Sequence, residues 1–151
     1  MIEGIRYVHI NLIAQDWRAL AHFYESVLGC TVVPPIRDFP AHAVEAGTGV
    51  PGASLSGVHL RLPGHGDEGP TIEIFTYSHQ PAPLAIAANR PGFAHIAFAV
   101  SAVPQACAEV IAAGGKPVGE IVTVTTAAGT QITWCYVTDP EGNIIELQAA
   151  I

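Results

Sequence analysis

Thr71-Ile72-Glu73-Ile74-Phe75 and Asn143-Ile144-Ile145-Glu146-Leu147 are the stretches from which the fold of this chain is read. Each is a short apolar strand with one carboxylate set into it. Side chains of a strand alternate faces with a period of two. Ile72 and Ile74 therefore share one face while Glu73 takes the other, and Ile145 and Leu147 share one face while Glu146 takes the other. A lone carboxylate inside a buried strand is costly unless it is paired or bound to a cation. Two such strands imply that something positive lies between them.

A histidine strand precedes each carboxylate strand. In Tyr7-Val8-His9-Ile10-Asn11-Leu12, the residues Val8, Ile10 and Leu12 face a core and leave His9 with Tyr7 and Asn11. In Phe93-Ala94-His95-Ile96-Ala97-Phe98, the residues Ala94, Ile96 and Phe98 do the same and leave His95 with Phe93 and Ala97. A single histidine in an apolar strand is ordinarily a hydrogen-bonded structural residue. Two imidazoles and two carboxylates at duplicated positions instead suit a divalent metal such as Zn, Ni, Co, Mn or Fe.

The chain has 151 residues, enough for one domain or for two small modules fused into one. Half the residues are hydrophobic and 13% are charged, which points to a packed globule rather than a disordered chain. A net charge of −7 disfavours nucleic acid and anionic membrane as partners. Cys30, Cys107 and Cys135 lack zinc-type spacing and fit a reducing, cytoplasmic setting. There is no apolar core of a signal peptide, and no apolar run approaches the roughly 20 residues needed to span a bilayer.

Working outward along the chain, residues 5–13 read as a strand and Asp16 as the N-cap of a helix. Trp17, Leu20, Ala21, Tyr24, Val27 and Leu28 follow at helical spacing, Phe23 and Tyr24 belong to the helix core, and Gly29 closes the helix. Cys30 to Val33 read as a short strand ended by Pro34-Pro35. Residues 34–56, with their four prolines, read as a long loop of the lid or binding type. Gly57 to Leu62 alternate Val58, Leu60 and Leu62 against His59 and Arg61, residues 63–70 turn, and residues 71–77 return as a strand. Residues 78–92 read as a linker.

The pattern then repeats. Residues 93–100 are a strand, Ser101 caps a helix with Pro104 in its first turn, and Val103, Cys107, Val110 and Ile111 mark the buried side. Residues 117–125 and 130–138 are strands, and Asp139-Pro140-Glu141-Gly142-Asn143 turns into a last strand over 144–149. Each half, about 1–78 and 92–151, reads strand, helix, strand, strand, strand, with the histidine on the first strand and the glutamate on the last. An internal duplication explains this, and it predicts a pseudo-two-fold axis close to the metal. Phe75, Tyr77 and Phe93 share the parity of the acidic and imidazole residues and would wall a pocket. Cys135 reads as a small buried hydrophobe, and His22, His42, His65 and His79 as helix-surface or loop histidines.

His9, Asp16 before a helix ending in Phe23-Tyr24-Glu25-Ser26-Val27-Leu28-Gly29, the strand Gly92-Phe93-Ala94-His95-Ile96-Ala97-Phe98, and the closing Asp139-Pro140-Glu141-Gly142-Asn143-Ile144-Ile145-Glu146-Leu147 together resemble the vicinal oxygen chelate superfamily. That superfamily includes glyoxalase I, methylmalonyl-CoA epimerase, extradiol dioxygenases and fosfomycin or bleomycin resistance proteins. The resemblance implies an α+β fold of two paired βαβββ modules whose curved mixed sheets form a cup around the metal. It places the four ligand positions on His9, Glu73, His95 and Glu146. It implies a homodimer acting on a small-molecule substrate with a carbonyl or vicinal oxygens.

The implied chemistry is metal-assisted proton transfer beside a carbonyl, through an enolate or enediolate that the metal stabilises. By resemblance to glyoxalase I, Glu146 is the first choice for the base and Glu73 the second. Glu45 lies near the region where the epimerase carries a further glutamate, though the surrounding sequence does not match closely. His59, Arg61 and Arg37 would meet an anionic substrate. The alternatives are a non-haem iron dioxygenase, which favours two histidines and one carboxylate, and a metal-independent protein that binds an antibiotic or metabolite.

Overall fold

A computed structural model describes residues 2–150 and divides them between Ala82 and Pro83 into two compact units. The division falls inside the proline-rich 78–92 stretch. The protein is α+β, with one sheet of four strands and one of five.

The first unit runs β1 (His9–Ile13), α1 (Trp17–Ser26), β2 (Thr31–Phe39), α2 (Ala41–Thr48), β3 (Leu55–Arg61) and β4 (Thr71–Tyr77). Its sheet has the order β1-β4-β3-β2, with β1 parallel to β4 and the other pairs antiparallel. Asp16 caps α1 as its residue type dictates: Oδ1 accepts from the N–H groups of Arg18 at 2.9 Å and Ala19 at 3.2 Å. The helix buries Trp17, Leu20, Ala21, Phe23 and Tyr24. It packs on β3 and β4, whose Val58, Leu60, Ile72 and Ile74 form the core face. Trp17 ties the helix down further, with its indole N–H donating to Ser56 Oγ at 3.1 Å. The helix ends at Ser26, three residues before Gly29, whose left-handed φ of 69° turns the chain so that the Cys30 N–H returns to the Tyr24 carbonyl.

The structure corrects the reading of residues 34–56 as a loop. β2 continues through Pro34-Pro35 to Phe39, with a register irregularity between Val33 and Arg37. The reason is position: β2 is an edge strand, where a proline's missing N–H need not cost a ladder bond. Helix α2 follows and ends at Gly49 in the left-handed conformation. Its Val44 packs with Ala53, Leu55 and Phe75, so this segment is seated on the sheet.

The second unit runs β5 (Ile96–Ala99), α3 (Val103–Ala112), β6 (Lys116–Pro117), β7 (Val122–Thr125), β8 (Gln131–Thr138) and β9 (Ile144–Ala150). Its sheet has the order β5-β9-β8-β6, with β7 also paired to β8 and β5 parallel to β9. The duplication expected from sequence is present as topology, since β5, β9 and β8 repeat β1, β4 and β3. The 117–125 strand is instead two short pieces, β6 and β7, on the same partner. Ala102 stands at the helix N-cap in place of Ser101 and makes no side-chain cap bond. Pro104 in the first turn lacks the N–H that such a cap would serve. Val103 and Val110 are buried against β8 and β9, while Ile111 is exposed.

The turn into β9 is built by Asp139, which is buried. Its Oδ1 accepts from the N–H groups of Glu141 at 3.0 Å and Asn143 at 2.9 Å, and its Oδ2 accepts from Asn143 Nδ2 at 2.8 Å. Among the described residues no helix is long and apolar enough to cross a membrane.

Candidate functional site

In the first unit the site residues lie on one face of three adjacent strands. The alternation within β4 buries Ile72 and Ile74 and turns Glu73 to the opposite face. Register does the rest: Glu73 pairs with Asn11 on β1 and with His59 on β3, so the three share a face. His9 is two residues before Asn11 and joins them. Glu73 Oε1 lies 3.0 Å from His59 Nε2. Glu73 Oε2 lies 3.4 Å from His9 Nε2 and accepts from Asn11 Nδ2 at 3.3 Å. The carboxylate is 13% exposed, against 42% for the His9 side chain, so Glu73 is the more deeply set of the two.

His59 is fixed at its other nitrogen, where Nδ1 is 3.5 Å from Thr71 Oγ1. Its ring meets Phe75 edge-on at 5.9 Å between centroids, and Phe75 in turn lies against Gly57, a position with no room for a side chain. Burial pulls the His59 pKa below its ordinary value; Glu73 opposes this, and Arg37, His9 and Arg61 add to the decrease. The net direction favours the uncharged imidazole. Arg37 pairs with Gly57 and Arg61 is two residues beyond His59, so both belong to this face. Arg37 donates to the Pro35 carbonyl and Arg61 to the Gly69 carbonyl.

In the second unit Glu146 sits on β9 between Ala97 of β5 and Tyr136 of β8. Ile145 and Leu147 take the buried face, as the alternation predicts. His95, just before β5, places Nε2 2.9 Å from Glu146 Oε2. Tyr136 lies against the His95 ring at 5.0 Å and 38°, and Trp134 lies against Tyr136 at 5.0 Å.

The structure thus brings His9 together with Glu73, and His95 together with Glu146. Among the described residues no group of three or more His, Cys, Asp or Glu gathers as a metal centre. Glu45 is an exposed residue of α2 whose Oε2 accepts from the Gly52 N–H at 3.0 Å, which braces the turn after the helix. Phe93 is fully exposed, whereas Phe75 is buried. The strength of the His59–Glu73 contact and the place of Tyr136 beside His95 were missed by sequence reasoning. Alternation puts His59 on the right face, but its partner follows from a strand pairing that the sequence does not spell out.

The chain is similar in structure to a glyoxalase-family protein from Bacillus cereus, at 17% identity and TM-score 0.82, covering 99% of this chain and 97% of that one. It is also similar to a virulence protein from Salmonella typhimurium, at 26% identity and TM-score 0.56, covering all of both chains. A third likeness is to an integron cassette protein of Vibrio cholerae, at 24% identity and TM-score 0.57, covering 99% and 98%. No curated protein matches the sequence. The family model described as Glyoxalase/Bleomycin resistance protein/Dioxygenase superfamily matches residues 6–147, and the chain belongs to that superfamily.

Proposed function

We propose that this protein is a divalent-metal-dependent lyase, isomerase or epimerase of the glyoxalase I or methylmalonyl-CoA epimerase type. The reaction is proton abstraction from a carbon beside a carbonyl. The observation that carries the reading is the repeated pair, His9 Nε2 with Glu73 Oε2 and His95 Nε2 with Glu146 Oε2, the glutamates on matching strands β4 and β9, with His9 opening β1 and His95 just before β5. Imidazole nitrogen and carboxylate oxygen are the donor types that Zn, Ni, Co, Mn and Fe accept, so the residues fit such an ion. His9, Glu73, His95 and Glu146 would hold it. When bound, the ion supplies Lewis acidity toward the substrate's carbonyl oxygen and so eases ionisation of the neighbouring C–H.

The chain's own groups do the rest. Glu146 accepts the proton as general base and returns it, with Glu73 as its counterpart. Both carboxylates are recessed, at 18% and 13% exposure, which limits competing water. Arg37 and Arg61 on the Glu73 face suit an anionic group on the substrate. The substrate is a small molecule with a carbonyl or vicinal oxygens, and the proposed assembly is a homodimer, read by light scattering.

The test is metal analysis of the purified protein and reconstitution with Ni, Co, Zn or Mn. Solvent-deuterium incorporation is then followed into the hemithioacetal of methylglyoxal and glutathione and into methylmalonyl-CoA. The expected result is about one ion per chain, with exchange lost in E146Q. A wild-type protein that takes up none of the four ions ends the proposal.

A second reading is favoured by one feature. In the first unit two imidazoles, His9 and His59, each contact the Glu73 carboxylate without gathering as a metal centre, and two histidines with one carboxylate are the residue types of non-haem iron oxygenases. Oxygen uptake with a catechol after anaerobic iron loading would favour it.

A further inference from the structure

The two units repeat each other's topology but not the surroundings of their carboxylates. Glu73 is flanked by Asn11 on one neighbouring strand and His59 on the other. Both of its oxygens are engaged, Oε1 by His59 Nε2 at 3.0 Å and Oε2 by Asn11 Nδ2 at 3.3 Å, with His9 Nε2 at 3.4 Å from Oε2. The matching flanks of Glu146 are Ala97 and Tyr136. Ala97 has no donor, and the Tyr136 ring is packed on His95. Glu146 is contacted by His95 Nε2 at 2.9 Å.

His59 is itself oriented. Thr71 Oγ1, on a buried residue, stands 3.5 Å from Nδ1, and the Phe75 ring closes one side. A carboxylate at Nε2 can only accept, which selects the tautomer with the proton on Nε2 and leaves Nδ1 to accept from the Thr71 hydroxyl. The nitrogen that carries that proton lies 3.0 Å from Glu73 Oε1.

We infer that His59 is a positioning residue for Glu73. Its Nε2–H holds Oε1, so that Oε2 alone remains turned toward His9, and the two glutamates become inequivalent. Glu73, clamped from both neighbouring strands, is the carboxylate that stays in place. Glu146, held from one side, is the carboxylate that can leave its partner and carry a proton. Carboxylates that hold a cation are commonly oriented in this way by an outer hydrogen bond, and loss of such a bond weakens metal binding by about 10- to 100-fold. The catalytic consequence rests on the proposed metal-dependent reaction, whereas the clamp does not require a metal.

Two measurements on the full chain separate these. In the metal-free protein, long-range proton–nitrogen NMR is expected to show a protected His59 Nε2–H that is lost in E73A. Absence of that proton in wild type, or its persistence in E73A, overturns the inference. Cobalt affinity is then measured by chelator competition in wild type, H59F and H59Q, each checked for native circular dichroism. H59F is expected to bind cobalt about 10- to 100-fold more weakly, and H59Q, which keeps an N–H donor, to recover most of the loss. H59F with unchanged affinity overturns the inference. So does H59Q as weak as H59F, which would make His59 a ligand. A wild-type protein that binds no cobalt ends the proposed function, while the NMR result still decides the fate of the clamp.

Discussion

Replacing Gly57 with alanine tests the packing that supports the site. Gly57 lies on β3, in the sheet interior, paired with Phe75 of β4. A Cβ added there would stand 2.1 Å from the Ile74 carbonyl oxygen, 2.2 Å from Phe75 Cδ1 and 2.8 Å from Phe75 Cα. Two of these three atoms are backbone of the partner strand, so a change of side-chain rotamer cannot relieve them. Opening the shortest contact from 2.1 Å to the 3.0 Å below which Cβ contacts essentially never occur means a shift of at least 0.9 Å between paired strands. Overpacking of this kind costs about 1–3 kcal/mol, and each ladder bond stretched adds about 1 kcal/mol. A total near 3 kcal/mol would lower Tm by roughly 6–12 °C at this chain length.

The assay is urea unfolding followed by circular dichroism, with G47A as the control. Gly47 lies in α2, has nothing within 4 Å of an added Cβ and has no positive φ. G47A is therefore expected to stabilise by about 0.5–1 kcal/mol. The two substitutions are chemically identical and opposite in sign. If G57A fell within about 0.5 kcal/mol of wild type, the range of an ordinary surface change, the close approach of β3 and Phe75 would be refuted. The support that Phe75 lends His59 would be refuted with it.

Other expectations concern separate parts of the fold. D16A removes the acceptor for two helix N–H groups and should cost about 1 kcal/mol, with D16N close to wild type, as read by thermal melts. D139A leaves the three donors of the Asp139 turn without their acceptor and should cost about 2–3 kcal/mol in urea unfolding. Burial pushes the thiols of Cys30 and Cys135 up to about 12 from an ordinary 9.0, with Glu25 and Cys107 as the respective further causes. Native protein at about pH 9 should therefore alkylate at Cys30 and Cys135 far more slowly than urea-unfolded protein; equal rates would show that these thiols are not buried.

The same thiols make stability depend on pH. The folded state keeps protons that the unfolded chain gives up, so their contribution is whole below about pH 9 and declines as pH rises toward about 12. C30A should flatten that decline between about pH 9 and pH 12.

The elements legible in the chain were those written in local pattern. The period-two alternation through Ile72, Glu73 and Ile74, and through Ile145, Glu146 and Leu147, marks which side of each strand is buried, because adjacent residues of a strand must point opposite ways. Asp16 announces a helix start because its short carboxylate reaches the N–H groups two and three residues on. The repeated order of strand, helix and strands is likewise a linear property.

Other features depend on long-range pairing, and no local pattern carries them. Pro34-Pro35 looks like a strand end until β2 is found at the edge of its sheet, where the missing N–H groups need no partner. His59 is one of several histidines along the chain until the pairing of β3 with β4 sets it opposite Glu73. Asn11 and Ala97 look equally unremarkable until each is seen beside its glutamate, one with a donor and the other without. A strand's own residues settle which face a side chain takes. The neighbour across the ladder is chosen by chain closure over many residues, and it is that neighbour that distinguishes Glu73 from Glu146.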